Sequence, residues 1–390
     1  MQPLCRKKAC HMEIEELRAQ IDQLDEQLVK AFDARMRVAL QIAEYKQENG
    51  LPVCNPARER EVLNRQVAAV PTDMAMYTKL LYHTIFDLSK SWQQRFLCKK
   101  AALSNHIALA LQNTPKLFPK QASVACQGVE GAYSQQACEK LFALPQLMFC
   151  KRFEGVFQAI ESGLCRYGVL PIENSSYGSV TEVYDLMRKH RFSIVREARL
   201  KIDHRLLALP GTKIADIREV VSHEQALGQC GAFLKGLKDV KITVCENTAA
   251  AARLVSESAS KHIAAIASPA CAALYGLEVL KMDIADSDSN FTRFICISKE
   301  LEVYPGANKM SLMLNVEHKP GALYGMIARF AALGLNLTKL ESRPISGTDF
   351  EFMFYFDLDA SVYDEAALQL LSELDAGPES FTFLGSYSEV

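Results

Sequence analysis

The chain contains no continuous apolar run approaching the ~18–20 residues that a membrane-spanning helix needs, so no membrane partner is expected. It carries no excess of either charge: Lys and Arg number 44 against 46 Asp and Glu, and a net charge of -2 leaves no global field for nucleic acid. Its 12 cysteines include no C-x-x-C pair and no Cys/His cluster at ligand spacing, so neither a zinc site nor a disulfide framework is indicated. Reduced thiols in the cytoplasm fit this pattern best, and no metal or other cofactor is expected. The basic start Arg6-Lys7-Lys8 leads into Glu13, Glu15 and Glu16 instead of an apolar stretch, which argues against a signal peptide. No internal repeat or low-complexity tract interrupts the sequence.

What is present suffices for two or three domains in 390 residues. Leu17, Ile21, Leu24, Leu28, Ala31, then Val38, Ile42 and Tyr45 recur at alternating steps of four and three, with one combined step of seven between Ala31 and Val38, the pattern of a long amphipathic helix with a coiled-coil-like seam. Arg35 stands in that seam where an aliphatic residue belongs. A guanidinium removed from water costs several kcal/mol unless an anion meets it, so a carboxylate of the chain or an anionic ligand must lie there. Lys46 favours the ligand: it returns to nearly the same face about 16 Å further along, leaving space for a small dianion between two cations.

Residues near 12 to 100 read as three helices. The first ends near Asn49-Gly50, the second starts at Asn55-Pro56 with Asn as cap, and the third follows Pro71-Thr72. The first is too long for two short neighbours to cover, so it is expected to pack against its copy in a homodimer. A polar, Pro-containing stretch from Ser104 to Gln121 reads as a connection. Beyond it, short apolar strands alternate with helices, as in an α/β domain. After a break at Tyr304-Pro305-Gly306 come Met310 to Val316 as strand, Ala322 to Leu333 as helix, Leu337 to Arg343 and Phe350 to Asp357 as strands, Glu365 to Leu374 as helix and Phe381 to Leu384 as strand. That order is the split βαβ unit. The fold class is thus multidomain: an all-α helical domain over 8–103, an α/β domain over 122–300 and an α+β βαββαβ domain over 308–390.

Arg18, Arg35, Lys46, Arg58, Glu59, Ser89 and Gln93 resemble the set of the all-helical chorismate mutases over most of residues 12 to 100. The resemblance implies a dimer of exchanged helices in which Arg18, about 100° off the face of Arg35 and Lys46, reaches the partner's site. It implies that Arg18 and Arg35 hold two substrate carboxylates, that Lys46 and Gln93 bond the ether oxygen, and that Arg58, Glu59 and Ser89 complete the pocket. No nucleophile is needed. A Claisen rearrangement of chorismate to prephenate requires only the compact conformer and charge stabilisation at the ether oxygen. Asn55 stands where relatives often carry Asp, as a substrate contact or merely as a helix cap. The bland alternative is a solvated dimerisation arm.

In the middle region, Gly128–Ser134, Pro171–Val180, Val221–His223 and Asn247–Ala250 run from strand ends into helix starts. Their free backbone N–H groups can bind carboxylates without lysine or arginine. Pro171-Ile172-Glu173-Asn174-Ser175, Ile202-Asp203-His204 and Asn290-Phe291-Thr292-Arg293-Phe294 are similar to segments of the prephenate dehydratases, from about Ser123 to Ser298. The resemblance implies two α/β lobes with the site between them, Thr292 as principal catalytic residue, and Asn174, Ser175, Ser222 and Gln229 as further substrate contacts. Val129 departs from the proline common in the family's Gly-Pro-x-Gly turn. Glu173 and Glu246 are open to either reading, proton relay or structural partner of Arg293 or a helix end. His204 and His223 read more simply as hydrogen-bonded core or rim residues than as acids.

Gly321-Ala322-Leu323 and Glu341-Ser342-Arg343-Pro344 are similar to motifs of the ACT-type amino-acid-binding domain attached to prephenate dehydratases. That implies L-phenylalanine as allosteric inhibitor. The three resemblances stand in the order of the bifunctional chorismate mutase/prephenate dehydratases. The implied activity is conversion of chorismate to prephenate and of prephenate to phenylpyruvate, by a homodimer or larger assembly. The alternative from another class is a small-acid-sensing regulatory protein with a helical dimerisation arm.

Overall fold

The structure, a computed structural model, describes residues 14–51, 55–97, 102–316, 318, 320–345, 351–375 and 380–390. Arg6-Lys7-Lys8, Glu13 and Phe350 lie outside these residues. The chain divides into two compact units, Met1–Ala101 and Ala102–Val390.

The first unit holds α1 (Ile14–Glu48), α2 (Pro56–Ala68), a 3-10 turn (Thr72–Met74) and α3 (Ala75–Leu97). The glutamates of the first turn and Lys46 in the last both complement the dipole of α1. Asn55 caps α2, its Oδ1 accepting from the Arg58 N–H at 3.1 Å, and Pro56 takes the first helical position. Small residues let α1 and α3 approach: Ala39 and Ala43 are buried, as are Phe86, Ser89 and Gln93 opposite. The remainder of the α1 seam finds no cover among the described residues of this unit, with Ile21, Leu24 and Leu28 at 57, 62 and 61% exposure.

The second unit begins with α4 (Ala102–Asn113), where a connection was expected. Its apolar Leu103, Ile107, Ala110 and Leu111 recur at helical spacing and pack into the carboxy-terminal core, while Ser104, Asn105 and His106 account for the polar appearance of the sequence.

A first lobe follows, with β1 (Gln121–Gln127), α5 (Tyr133–Leu141), β2 (Leu144–Cys150), α6 (Phe153–Glu161), β3 (Tyr167–Asn174), β4 (Gly178–Ser179), α7 (Thr181–His190) and β5 (Ser193–Lys201). The second lobe comprises β6 (Arg205–Ala208), β7 (Glu219–His223), α8 (Glu224–Gln229), α9 (Gly231–Lys235), β8 (Lys241–Cys245), α10 (Thr248–Glu257), β9 (Ile263–Ala267), α11 (Pro269–Tyr275) and β10 (Glu278–Lys281). Then β11 (Phe291–Ser298) returns to the first lobe, giving sheet orders β2-β1-β3-β11-β5, with β4 paired to β3, and β10-β6-β9-β7-β8. The chain therefore crosses between lobes twice, at residues 202–204 and 282–290. Helices cover both faces of the first sheet, so Val124, Ala125 and Cys126 of β1 are all fully buried.

The last elements are β12 (Lys309–Val316), α12 (Ala322–Ala332), β13 (Asn336–Pro344), β14 (Phe352–Asp359), α13 (Glu365–Asp375) and β15 (Phe381–Tyr387), ordered β13-β14-β12-β15 with every neighbour antiparallel. The expected βαββαβ order is present. This sheet does not stand apart as a separate compact body. Period-two alternation sends Leu312, Leu314 and Phe356 to α4, α12 and α13, and sends Met313, Tyr355 and Tyr387 into the first lobe's core. Gly385, at φ +142, lies where a Cβ would overlap the Ile194 carbonyl, so glycine permits this close approach.

Candidate active sites

In the helical unit, Arg35 is half-buried with its guanidinium 5.8 Å from the centre of the Phe86 ring. Its Nη1 is buried and has no hydrogen-bond partner. Among the described residues neither a carboxylate nor a carbonyl meets that nitrogen, which leaves the anionic ligand of the two readings open to it. On α3, the same face carries Ser89 and Gln93, 5 and 9% exposed, with Gln93 Nε2 donating to Ser89 Oγ at 3.1 Å. Lys46 is half-buried on α1. Glu59 faces Lys90 at 3.7 Å. Two expected residues are not gathered here. Arg18 is exposed and pairs with Glu15 at 2.7 Å, and Arg58 is exposed and pairs with Glu61 at 2.6 Å. Asn55 acts in this chain as a cap.

The second unit has a cleft of about 510 Å³ between its lobes. All four strand-to-helix segments reach it, through Ala132–Ser134, Gly178–Glu182, His223 and Asn247–Thr248. The starts of α5, α7 and α10 thereby present backbone donors to the cleft, and among the described residues no Lys or Arg lines it while two carboxylates, Glu182 and Glu246, do.

Thr292 and Asn174 oppose each other across the β11–β3 pairing, and alternation turns both to the cleft. Asn174 Nδ2 donates to Thr292 Oγ1 at 2.9 Å and to Asn290 Oδ1 at 2.8 Å, while its Oδ1 accepts from the Ser176 and Tyr177 N–H groups. Because Thr292 Oγ1 accepts from the amide, its own proton is left to donate elsewhere. Asn290 Nδ2 in turn donates to Gln229 Oε1 at 2.8 Å, and His204 Nε2 lies 2.7 Å from the same oxygen. A side-chain amide oxygen cannot donate, so Nε2 carries the imidazole proton and Nδ1 is bare, buried and, among the described residues, unpartnered. Burial lowers the His204 pKa below the ordinary histidine value, against the pull of Gln229 and Asp203, and burial likewise lowers that of His223. Both histidines are thus neutral near pH 7.

Ser222 and Ser175, expected as substrate contacts, do not line the cleft. Ser222 is fully buried and donates to the Ile266 carbonyl at 2.6 Å, tying β7 to β9 instead of lining the cleft. Ser175 lies on the opposite side of β3 from Asn174, where its hydroxyl bonds Ser289 and the Phe291 N–H. Glu173 shares that side, 2.7 Å from Lys339 and 3.8 Å from Arg293, which fits the structural reading and not a relay.

At the carboxy terminus, Gly321 caps α12 at φ +84, and Ala322 and Leu323 pack at the helix start. Glu341 accepts from Ser179 Oγ at 2.6 Å and Arg343 pairs with Asp185 at 3.0 Å, so both charged side chains are engaged by the first lobe. Ser342 and Pro344 alternate to the exposed side of β13.

The family model for prephenate dehydratase matches residues 124–302, and that for chorismate mutase type II matches residues 17–94. Across 381 residues the chain is 34% identical to the bifunctional chorismate mutase/prephenate dehydratase of Escherichia coli K12, covering 95% of each. The chain belongs to this bifunctional family. It has the enzyme's mutase and dehydratase parts in the same order. The bifunctional enzyme is not its sole kind of relative: the chloroplastic arogenate dehydratase/prephenate dehydratase 2 of Arabidopsis thaliana is 37% identical over 313 residues, 77% of this chain and 80% of that one. The solved prephenate dehydratase of Arthrobacter aurescens in complex with L-Phe matches with a TM-score of 0.63 at 30% identity, over 68% of this chain and 90% of that one.

Asn290 stands out in the sequence only as part of the Asn290-Phe291-Thr292-Arg293-Phe294 segment. Its place beside Thr292 was readable in principle, since Asn290, Thr292 and Phe294 are spaced by two along the run into β11.

Proposed function

We propose that the helical unit rearranges chorismate to prephenate and that the interlobe cleft dehydrates and decarboxylates prephenate to phenylpyruvate. Arg35 takes one carboxylate of chorismate and Arg18 of a second copy takes the other. Lys46 and Gln93 act on the ether oxygen, with Ser89, Arg58 and Glu59 around them. The exposed α1 seam supports a homodimer, because paired copies would cover the apolar surface that one copy leaves in water.

In the cleft, the helix starts hold the substrate carboxylates and the Thr292 hydroxyl donates a hydrogen bond to the ring hydroxyl as it departs, while the C–CO2 bond breaks and its electron pair aromatises the ring. Aromatisation supplies the driving force, so stabilising the leaving oxygen is the enzyme's share. The observation that carries the reading is the Asn174–Thr292 bond of 2.9 Å, which fixes the hydroxyl as a donor toward the cleft. Gln229 supports this pair through Asn290. The region 308–390 binds L-phenylalanine as inhibitor, with Gly321 to Leu323 at the amino-acid carboxylate. The engagement of Glu341 and Arg343 with the first lobe provides a path by which occupancy reaches the cleft.

Glu182 and Glu246 support a second substrate. Two carboxylates in a cleft that no Lys or Arg lines among the described residues would accept the ammonium of arogenate, the amino counterpart of prephenate, as readily as the keto group. Separate incubations with chorismate, prephenate and arogenate, with products resolved by chromatography, test both readings. Phenylpyruvate from the first two supports the main one and phenylalanine from the third supports the second. No turnover of chorismate or prephenate would refute the main reading.

A further inference from the structure

The face of the β11–β3 pair opposite the cleft carries charge. Arg293, next to Thr292, and Glu173, next to Asn174, are themselves paired in register and point away from the substrate side into a separate cavity. Both end on side chains of the carboxy-terminal sheet. Arg293 Nη2 donates to Asp357 Oδ2 of β14 at 2.6 Å, and Lys339 of β13 meets Glu173 at 2.7 Å. The arginine and Asp357 side chains are only 18 and 13% exposed. Asp357 is itself pinned from behind: its Oδ1 accepts from Ser311 Oγ of β12 at 2.6 Å, and that hydroxyl bonds Tyr387 Oη of β15 at 2.6 Å. Glu197 lies 3.6 Å from Arg293 on its other side and is held by Lys309 at 2.9 Å. On its β5 edge β11 pairs in unbroken register from Phe291 to Cys296, whereas the ladder with β3, the edge that joins Thr292 to Asn174, is irregular immediately after Arg293.

We propose that Asp357 is a positioning residue of the dehydratase reaction: by gripping Arg293 beside the irregular β3 edge it holds the local β11 geometry that aims the Thr292 hydroxyl at Asn174 and the cleft, so that a carboxy-terminal strand completes a site it does not touch. A carboxylate accepting from a guanidinium is a stiff, directional link, and a displacement near 1 Å at a catalytic group is enough to lower turnover ~10²-fold. Lys339 does the same for Asn174 through Glu173. The grip rests on the reading of Thr292 and Asn174 as dehydratase residues, and it gives that reading a separate mode of failure.

The test is Asp357→Asn in the full chain. It keeps the shape and removes the charge. The dehydratase kcat should fall about 10–100-fold with the KM for prephenate within about threefold, and mutase turnover by the same molecules should match the parent. Asp357→Glu should recover part of kcat. Thr292→Ala serves alongside as the control for the site. If Thr292→Ala leaves dehydration intact, the site assignment fails. If Thr292→Ala abolishes dehydration and Asp357→Asn stays within about twofold of the parent, only the positioning role fails. A kcat loss that tracks a loss of folded protein and is not recovered by Asp357→Glu also overturns it. Should Asp357→Asn not fold, Lys339→Met is read by the same kcat and KM criteria.

Discussion

Replacing Arg35 with Met isolates the cost of holding a cation in an apolar groove. The guanidinium lies 5.8 Å over Phe86 with Nη1 buried and unpartnered, and Ala39 on the same helix is 8% exposed. A buried donor without an acceptor costs ~1–3 kcal/mol, and the cation–ring contact returns ~0.5–2 kcal/mol of that. Met fills a similar length of groove with no polar group, so unliganded Arg35→Met should be as stable as the parent or more stable by up to about 2 kcal/mol. Each kcal/mol corresponds to ~4–8 °C in the midpoint of a unit of this size, readable by calorimetry on the full chain. Mutase turnover, followed as loss of chorismate, should fall at least ~10³-fold, because a charge-assisted contact to a carboxylate disappears from the positioned conformer. The two effects have opposite signs, the mark of a residue kept for ligand and not for fold. A midpoint lowered by several degrees would refute the reasoning, since it would mean that a carboxylate of the protein neutralises Arg35 in the assembled enzyme.

Three further outcomes follow from the second unit. Asn290→Ala leaves Gln229 and Asn174 each short of a buried partner, so unfolding in urea should show a loss of about 1–3 kcal/mol and the dehydratase kcat should drop with it. Burial depresses the His204 and His223 pKa values; below pH 6.5 the unfolded chain therefore takes up protons that the folded chain refuses. Stability from this source is intact above 6.5 and lost as pH falls toward the folded-state values, so His204→Gln should flatten the acid limb of a midpoint-versus-pH curve. Ile107→Ala should destabilise the second unit by about 2–5 kcal/mol without altering the helical unit, because α4 packs into the carboxy-terminal core.

The parts of the structure that the sequence displayed were those with a period. The α1 seam, the Asn55-Pro56 start of α2 and the βαββαβ order are each written in spacing or capping chemistry. α4 was missed because polar residues on its outer face mask Leu103, Ile107 and Ala110. Its partner surface belongs to α13, some 270 residues away, where Leu103 N–H donates to Asp375 and Ser104 meets Ser372. Arg35 was legible as an outlier in an apolar seam, and Thr292 with Asn174 through motifs. The partners of Ser222 and Ser175 were not legible, since which side of a strand a serine takes near an element's end depends on pairing register, and Ser222 bonds Ile266 and Ser175 bonds Ser289. The Asp357–Arg293 link joins residues 64 apart on different sheets, and no local pattern announces it.

Two chemistries on one chain, each resting on its own residues, is the central claim. Its most direct test supplies Arg35→Ala and Thr292→Ala variants with chorismate in one assay and prephenate in another, measuring prephenate and phenylpyruvate. Arg35→Ala should yield nothing from chorismate yet process prephenate at the parent rate, and Thr292→Ala should accumulate prephenate from chorismate and make no phenylpyruvate. Loss of both steps in either folded variant, or retention of the targeted step, would contradict it.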